Sequence, residues 1–368
     1  MAEWQGVISA TAPKFLKGAA DNTIRQRLIL ALLKRYGRIK FNENSFQCTW
    51  DVQNNEQQVE AYGDGGQLTF ERNNLVTQMT IDWRGYVTTD SMTKKERLMN
   101  DGDVAIFKRY DRILPTLLSS LTNKFSAELF IDGNAAGNQN RLHGLESFFG
   151  AGTCATADRV AAPNDNYAGR STVVGNDGGT WTTTAGLTAP NASIGTDWPD
   201  GSGDVLYDYI SPKLINSSSS GWIGAGNVGW EDTCLRVLRQ AVIWTTRLGG
   251  KDGMPTVHLM GSDMYYPFLN KAQGMLRALV PYKEAEDLGF NGAVQFEGVG
   301  LQHDFDVPAR TVYSMNVNQM ELVSLDSVLF SSQGPEWDMK MQAFLFAIGF
   351  FGNLRYNPKF FAKIFPYA

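Results

Sequence analysis

The chain has 368 residues, with 33 Lys+Arg against 38 Asp+Glu, a formal charge of −5, and 43% hydrophobic residues. That composition supports a large buried core and excludes a disordered, collagenous or coiled-coil protein. Three cysteines, Cys48, Cys154 and Cys234, lie far apart in sequence, which excludes a disulfide framework or a Cys-x-x-Cys metal site and fits a reducing compartment. Met1–Ala10 lacks the basic-then-apolar order of a signal peptide. The longest apolar run, Ala343–Phe351, falls well short of the ~20 residues of a membrane helix, so no membrane partner is expected.

Charge is unevenly placed. Residues 1–40 hold eight basic side chains (Lys14, Lys17, Arg25, Arg27, Lys34, Arg35, Arg38, Lys40) against two acidic ones, a net of +6. The remainder holds 25 basic and 36 acidic residues, a net of −11. A basic arm on an acidic body points to docking on an acidic neighbour or to nucleic acid. An ordinary solvated helix face would account for the same charges.

In chain order, residues 21–36 read as a helix capped by Asp21 or Thr23, with Ile24, Leu28, Ala31, Leu32 and Tyr36 at helical spacing. Phe46, Cys48, Trp50 and Val52 then alternate with polar residues, as do Leu75, Met79, Ile81 and Trp83. Gly63-Asp64-Gly65-Gly66 between them is a strong turn signal. The spacing predicts one long hairpin over 46–83 with arms of about 17 residues, each reaching roughly 55 Å. An isolated ribbon of that kind is marginal in water and its edges are open to another chain, so it must fold over its own domain or lie on a neighbour.

Thr93 and Glu96 have the capping-box spacing for a short helix. A longer helix over 103–131, about 43 Å, carries an apolar stripe from Phe107 through Leu114, Leu118, Leu121 and Phe125 to Leu129, with Pro115 inside it. Residues 150–204 hold ten Gly and two basic residues with many Thr, Asn and Asp. They read as surface loops or an elaborated β insertion, with short strands near Thr172–Val174 and Trp181–Thr184. Regular texture resumes with a helix over 231–247, a strand Thr256–Met260, a helix from Ser262, strands near 311–315 and 320–325, the apolar strand 343–351, and a last segment Pro358–Phe365. Strand-rich and helix-rich parts alternate irregularly, so the class is α+β.

Chemical motifs fail in context. Gly224-Ala225-Gly226-Asn227-Val228-Gly229 spells GxGxxG, but it follows a Ser-rich loop rather than a strand and lacks the downstream acid of a nucleotide site. Ser91-Met92-Thr93-Lys94 has the spacing of a nucleophile and its base, yet no partner motif exists and helix capping explains it. The three histidines, His143, His258 and His303, have no metal-ligand spacing; His258 in an apolar strand reads as a hydrogen-bonded core histidine. No cofactor, metal or enzymatic activity is expected.

This order of parts resembles the major capsid proteins of tailed double-stranded DNA phages, the Hong Kong 97-type phage capsid fold. Local wording is similar too, in Pro255-Thr256-Val257-His258-Leu259-Met260-Gly261-Ser262 and in Gly352-Asn353-Leu354-Arg355-Tyr356-Asn357-Pro358. The resemblance implies an N-terminal arm (1–44), an extended E-loop hairpin (45–88), a P-domain with its long spine helix (89–139), an A-domain (140–325) and P-domain return strands (326–368). It further implies self-assembly into hexamers and pentamers of an icosahedral head. That head would form in the host cytoplasm with a separate scaffolding protein and a portal, and would enclose double-stranded DNA without reading its sequence. Assembly contacts are then expected at Trp50, Gly63, Asp64, Gly65, Gly66 and Phe70 of the hairpin and at Trp4, Lys14, Lys17, Arg25 and Arg27 of the arm. Some relatives cleave away a long N-terminal scaffolding extension, for which the residues before the hairpin leave no room; the starting Met1 favours the separate scaffold. Some relatives join an E-loop lysine covalently to a neighbour's asparagine; no lysine stands between Lys40 and Lys94, so no such crosslink is expected, although Asn357 lies near the C-terminal end. Three other readings compete: a nanocompartment (encapsulin-like) shell around an enzyme cargo, a β-rich enzyme with a Gly-rich cleft near Asp200–Asp204, and a carbohydrate-binding or fibre-like virion protein using 150–204.

Overall fold

The computed structural model describes residues 28–53, 59–67, 70, 75–99, 103–149, 160–161, 166–171, 212–216, 229–246, 250–273, 280–281 and 294–365. Its first half runs α1 (Leu28–Arg35), β1 (Ile39–Lys40), β2 (Cys48–Gln53), β3 (Val76–Ile81), β4 (Arg84–Thr93), α2 (Lys94–Met99), α3 (Asp103–Glu128), β5 (Val160–Ala161), β6 (Asn166–Tyr167), β7 (Arg170–Ser171) and β8 (Lys213–Asn216). The second half runs α4 (Trp230–Thr246), α5 (Gly250–Gly253), β9 (Val257–Met260), α6 (Ser262–Gln273), β10 (Val280–Pro281), β11 (Val294–Phe296), β12 (Val299–His303), β13 (Val312–Met315), β14 (Met320–Ser324), β15 (Ser331–Asp338), β16 (Ala343–Tyr356) and β17 (Phe361–Phe365).

Two sheets organise the chain. In the five-stranded sheet, β16 is the hub: β4 lies antiparallel along one side of it, from Thr93↔Ala343 to Arg84↔Gly352, with β15 and then β14 along the other. Short β1 closes that side in parallel with β14. The expected apolar stripe of the spine helix is buried from Leu114 to Leu129. Its Phe125 meets Phe350 at 4.8 Å, Phe330 at 5.7 Å and Tyr86 at 6.2 Å, edge to face. Strict alternation along β16 puts Phe346, Ile348 and Phe350 in this core and Phe351 in solvent. The helix ends on a buried carboxylate. Glu128 accepts from Arg141 and Tyr86 and pairs with Lys124, while Tyr86 in turn accepts from Leu142 N. Burial raises the Glu128 pKa, but these three donors outweigh it and hold the group at about 2.

The eight-stranded sheet has the order β10-β11-β12-β9-β13-β17-β8-β5. Alternation again divides its residues. Val257, Leu259, Tyr313, Met315 and Phe361 face the first core, whereas Met260, Val312, Ala362 and Ile364 face a second core built with Cys234, Val237, Leu238 and Phe268 of α4 and α6. His258 shares that second face. It is fully buried, as expected, but neither ring nitrogen finds a hydrogen-bond partner, and Ser314 Oγ directly across from it on β13 is equally alone.

Several expectations are sharpened. Helix α1 occupies the second half of the expected 21–36, and residues 21–27 lie outside the described ones, as do Thr172–Val174 and Trp181–Thr184. The capping box forms reciprocally: Glu96 N donates to Thr93 Oγ1 at 3.3 Å and Thr93 N to Glu96 Oε2 at 3.1 Å. Strand β16 runs five residues beyond the expected 351 because Gly352 does not end it. A side chain there would collide with Val323 O of β14, so glycine is what lets the two backbones pair. The stretch 326–368, read as one return, is divided between the sheets: β15 and β16 stay in the first, and β17 pairs with β13 and β8 in the second.

Candidate assembly interface: the hairpin and its root

Strands β2 and β3 pair over six residues a side, from Cys48↔Ile81 to Gln53↔Val76. Farther out, the described residues 59–67 carry no strand, only the turn in which Gly66 N donates to Gly63 O at 3.0 Å. The expectation of paired arms of about 17 residues therefore extends past the pairing present among the described residues. The alternation that identified the ribbon has a physical cause. Cys48, Val52, Met79 and Ile81 share one face, and that face is buried in the first core. At its root, then, the hairpin folds over its own chain.

Four contacts fix the root's direction. Asn353, fully buried on β16, accepts from His143 N (3.1 Å) and Leu354 N (2.8 Å) and donates to Asp82 O (2.8 Å), the junction between β3 and β4. Trp83 Nε1 donates to Ser45 O at 3.0 Å, closing the junction from the other strand. Arg355 Nη1 donates to Thr49 O at 3.3 Å. Thr80 N donates to Ala168 O at 3.2 Å, in the turn between β6 and β7. Tyr167 of that small hairpin lies buried in the core, stacked on Tyr356 at 4.6 Å and 6.0 Å from Trp50.

Electrostatics reinforces the same place. Glu321 on β14 holds Lys40 (2.9 Å), Arg38 (3.3 Å) and Arg355 (2.7 Å). Burial pushes its pKa up, but Lys40 and Arg355 outweigh that and leave the carboxyl below its ordinary range. Glu321, Arg38 and Arg355 line a cleft of about 220 Å³ with Trp50, Asp51 and Asn357.

Elsewhere the picture reverses. Phe46 beside the root, and Val59 and Phe70 farther out, are 95%, 92% and 92% exposed, and Tyr62 is exposed as well. Of the residues singled out in the sequence, Gly63, Asp64, Gly65 and Gly66 form the exposed turn and Phe70 stands in solvent beyond it. Trp50 sits at the root, half-buried against the core, its indole N–H without a hydrogen-bond partner. Trp4, Lys14, Lys17, Arg25 and Arg27 lie outside the described residues. Asn353 and Tyr167 escaped the sequence reading. Asn353 stands in the closing segment already noted for its wording, but nothing local marks its two long-range partners, His143 and Asp82; Tyr167 was hidden in a polar stretch.

Among the described residues no group of three His, Cys, Asp or Glu side chains could hold a metal ion, and no helix is long and apolar enough to cross a membrane. Of the GxGxxG stretch only Gly229 is described; its carbonyl accepts from Asp232 N in the first turn of α4.

No family profile matches the sequence, and no curated protein does. Solved structures do match. The capsid asymmetric unit of cyanophage A-1(L) covers 92% of this chain and 93% of its own at 13% identity, with a TM-score of 0.56. The mature capsid of bacteriophage PhiM1 covers 90% and 86% at 10% identity, with a TM-score of 0.51. The holo-SrpI encapsulin of Synechococcus elongatus PCC 7942 is similar over 79% of this chain at a TM-score of 0.41, too slight to argue from. The chain thus has the α+β fold of tailed-phage major capsid proteins over about 90% of its length.

Proposed function

We propose that this chain is a shell-building protein: a major capsid protein that assembles into hexamers and pentamers of an icosahedral phage head around packaged double-stranded DNA. The observation that carries the reading is the hairpin itself. Its root is fixed by buried hydrogen bonds, while Phe46 beside it and Val59 and Phe70 farther out stand almost wholly in solvent. Large apolar groups exposed to water are what an intersubunit contact would cover. On this reading residues 1–44 form the arm, 45–88 the extended loop, 89–139 the peripheral domain with its spine helix, and 140–325 the central domain. Residues 326–368 form the return, with the last strand crossing over. The arm residues Trp4, Lys14, Lys17, Arg25 and Arg27 and the turn Gly63–Gly66 are proposed contacts with neighbouring copies. A separate scaffolding protein and a portal complete the assembly in the host cytoplasm. DNA is enclosed without sequence readout by a body of net charge −10 outside the arm, 25 basic against 35 acidic residues. Neither catalysis nor a cofactor has a part in it.

The variant Val59→Ser/Phe70→Ser tests the contact. Thermal unfolding of the isolated chain should stay unchanged, because neither side chain is buried in it, while assembly into shells or rings should be lost. Assembly equal to that of the unsubstituted chain contradicts the assignment. A second expectation concerns covalent bonds. With no lysine from 41 to 93, boiled shells should run as a single band on denaturing electrophoresis; a ladder of oligomers would overturn this.

A further inference from the structure

Three Asp–Gly steps fall among the described residues: Asp64–Gly65, Asp132–Gly133 and Asp252–Gly253. Each has the atoms for one side reaction of the main chain. The glycine nitrogen attacks Cγ of the aspartate before it, and no Cβ on the glycine hinders the approach. The N–Cγ bond forms, a Cγ–Oδ bond breaks, and that oxygen leaves as water with the amide proton and the carboxyl proton. Water then opens the succinimide ring. Attack at Cγ restores aspartate. Attack at the main-chain carbonyl carbon leaves isoaspartate, whose main chain runs through Cβ and is one atom longer.

The fold separates the three. Gly133 N donates to Ser147 Oγ at 2.8 Å inside the core, and Asp132 Oδ1 accepts from Asn134 N at 2.8 Å. A nitrogen so held cannot turn toward Cγ. Gly253 is buried at the end of α5, where even a Cβ would stand 2.8 Å from Thr245 O. That leaves the peptide no room to rotate. Asp64 and Gly65, by contrast, are exposed in the hairpin turn. Among the described residues neither Gly65 N nor the Asp64 carboxylate forms a hydrogen bond, and the turn is closed by Gly66 N donating to Gly63 O. Gly65 has a φ of +83°, and nothing lies within 4 Å of the place a Cβ would take. We propose that Asp64 is a site of spontaneous isoaspartate formation, the one of the three that the fold leaves open. The product lengthens the exposed turn by one main-chain atom and moves its carboxylate onto Cα. The inference stands on the turn alone and holds whether or not the chain builds a shell.

Prolonged incubation of the full chain at neutral pH, followed by peptide mapping, tests it. Cleavage after Glu60 and Glu71 releases residues 61–71, in which Asp64 is the only aspartate and no asparagine occurs. Electron-transfer fragmentation, and methylation by a protein isoaspartyl methyltransferase, should show isoaspartate accumulating in that fragment. Asp132 and Asp252 should react at least about tenfold more slowly, because each site must first open locally. In concentrated urea the three rates should become comparable, since the selection belongs to the fold. Asp64→Asn should form isoaspartate several-fold faster than the unsubstituted chain, because ammonia then leaves in place of water. The position is exposed, so its unfolding curve should coincide with that of the unsubstituted chain. A fragment 61–71 that stays free of isoaspartate in the folded chain while the urea-treated chain forms it would overturn the proposal. So would Asp132 or Asp252 reacting as fast as Asp64 in the folded chain.

Discussion

Asn353→Ala should be among the most destabilising single substitutions in the chain, on the order of 3–5 kcal/mol by urea unfolding. The side chain is fully buried and satisfies three backbone groups at once, His143 N, Leu354 N and Asp82 O. Removing it leaves two donors and an acceptor in the core without partners, at roughly 1–3 kcal/mol each. The loss should also be uneven. Hydrogen exchange should accelerate most in β2 and β3, because the Asp82 bond ties the β3–β4 junction to β16. Asn353→Asp should restore the two accepted bonds but not the donated one, and it would bury a charge beside the Asp82 carbonyl. A loss below about 1 kcal/mol for the alanine variant, or uniform exchange across the sheet, would show that the hairpin is held by other means.

The second large effect is acid instability beginning well above the carboxylate range. Burial pushes His258 down to about 3 from an ordinary 6.5. It pushes His143 to about 4, with Arg84 adding to the effect and Asp82 opposing it. A base whose folded pKa is depressed stays neutral in the fold and takes up its proton only on unfolding. Its contribution is therefore complete above pH 6.5 and is lost as pH falls toward 4 for His143 and 3 for His258. The slope approaches roughly 1.4 kcal/mol per pH unit for each histidine. Glu128, held at about 2, adds a further loss only below its ordinary value of 4.5. Urea unfolding across pH 7.5 to 5.5 should thus show falling stability above the ordinary carboxylate range. His258→Leu should remove about half of that slope. It should cost little at neutral pH, since it deletes two ring nitrogens that have no partner. An unchanged slope in that variant would place the acid sensitivity elsewhere.

These two residues mark where sequence reading succeeds and where it stops. Periodicity located the spine helix stripe, the capping box at Thr93 and the alternating ribbon, because each is written in residues a few positions apart. The ribbon's orientation was not legible. Alternation says that one face is buried, but only Asn353, Arg355 and Tyr167, distant in sequence, decide against what. The strand was expected to stop at Phe351, where the apolar run ends; Gly352 carries it on through close approach to Val323 O, a fact of pairing. His258 was placed in the core correctly, but its lack of any partner depends on Ser314 and the helices above, which no local pattern contains. The division of the last segment between two sheets follows from the Asn357–Pro358 break, whose direction is set by β13 and β8.

The central claim is that the chain builds a closed shell through its hairpin. Negative-stain microscopy of the purified chain after size-exclusion chromatography, alone and with the products of its neighbouring genes, tests this most directly. Closed shells, or rings of five and six subunits, are the expected result. A compact monomer under every condition, with or without a scaffold, would contradict it and return attention to residues 150–204 as the site of some other activity.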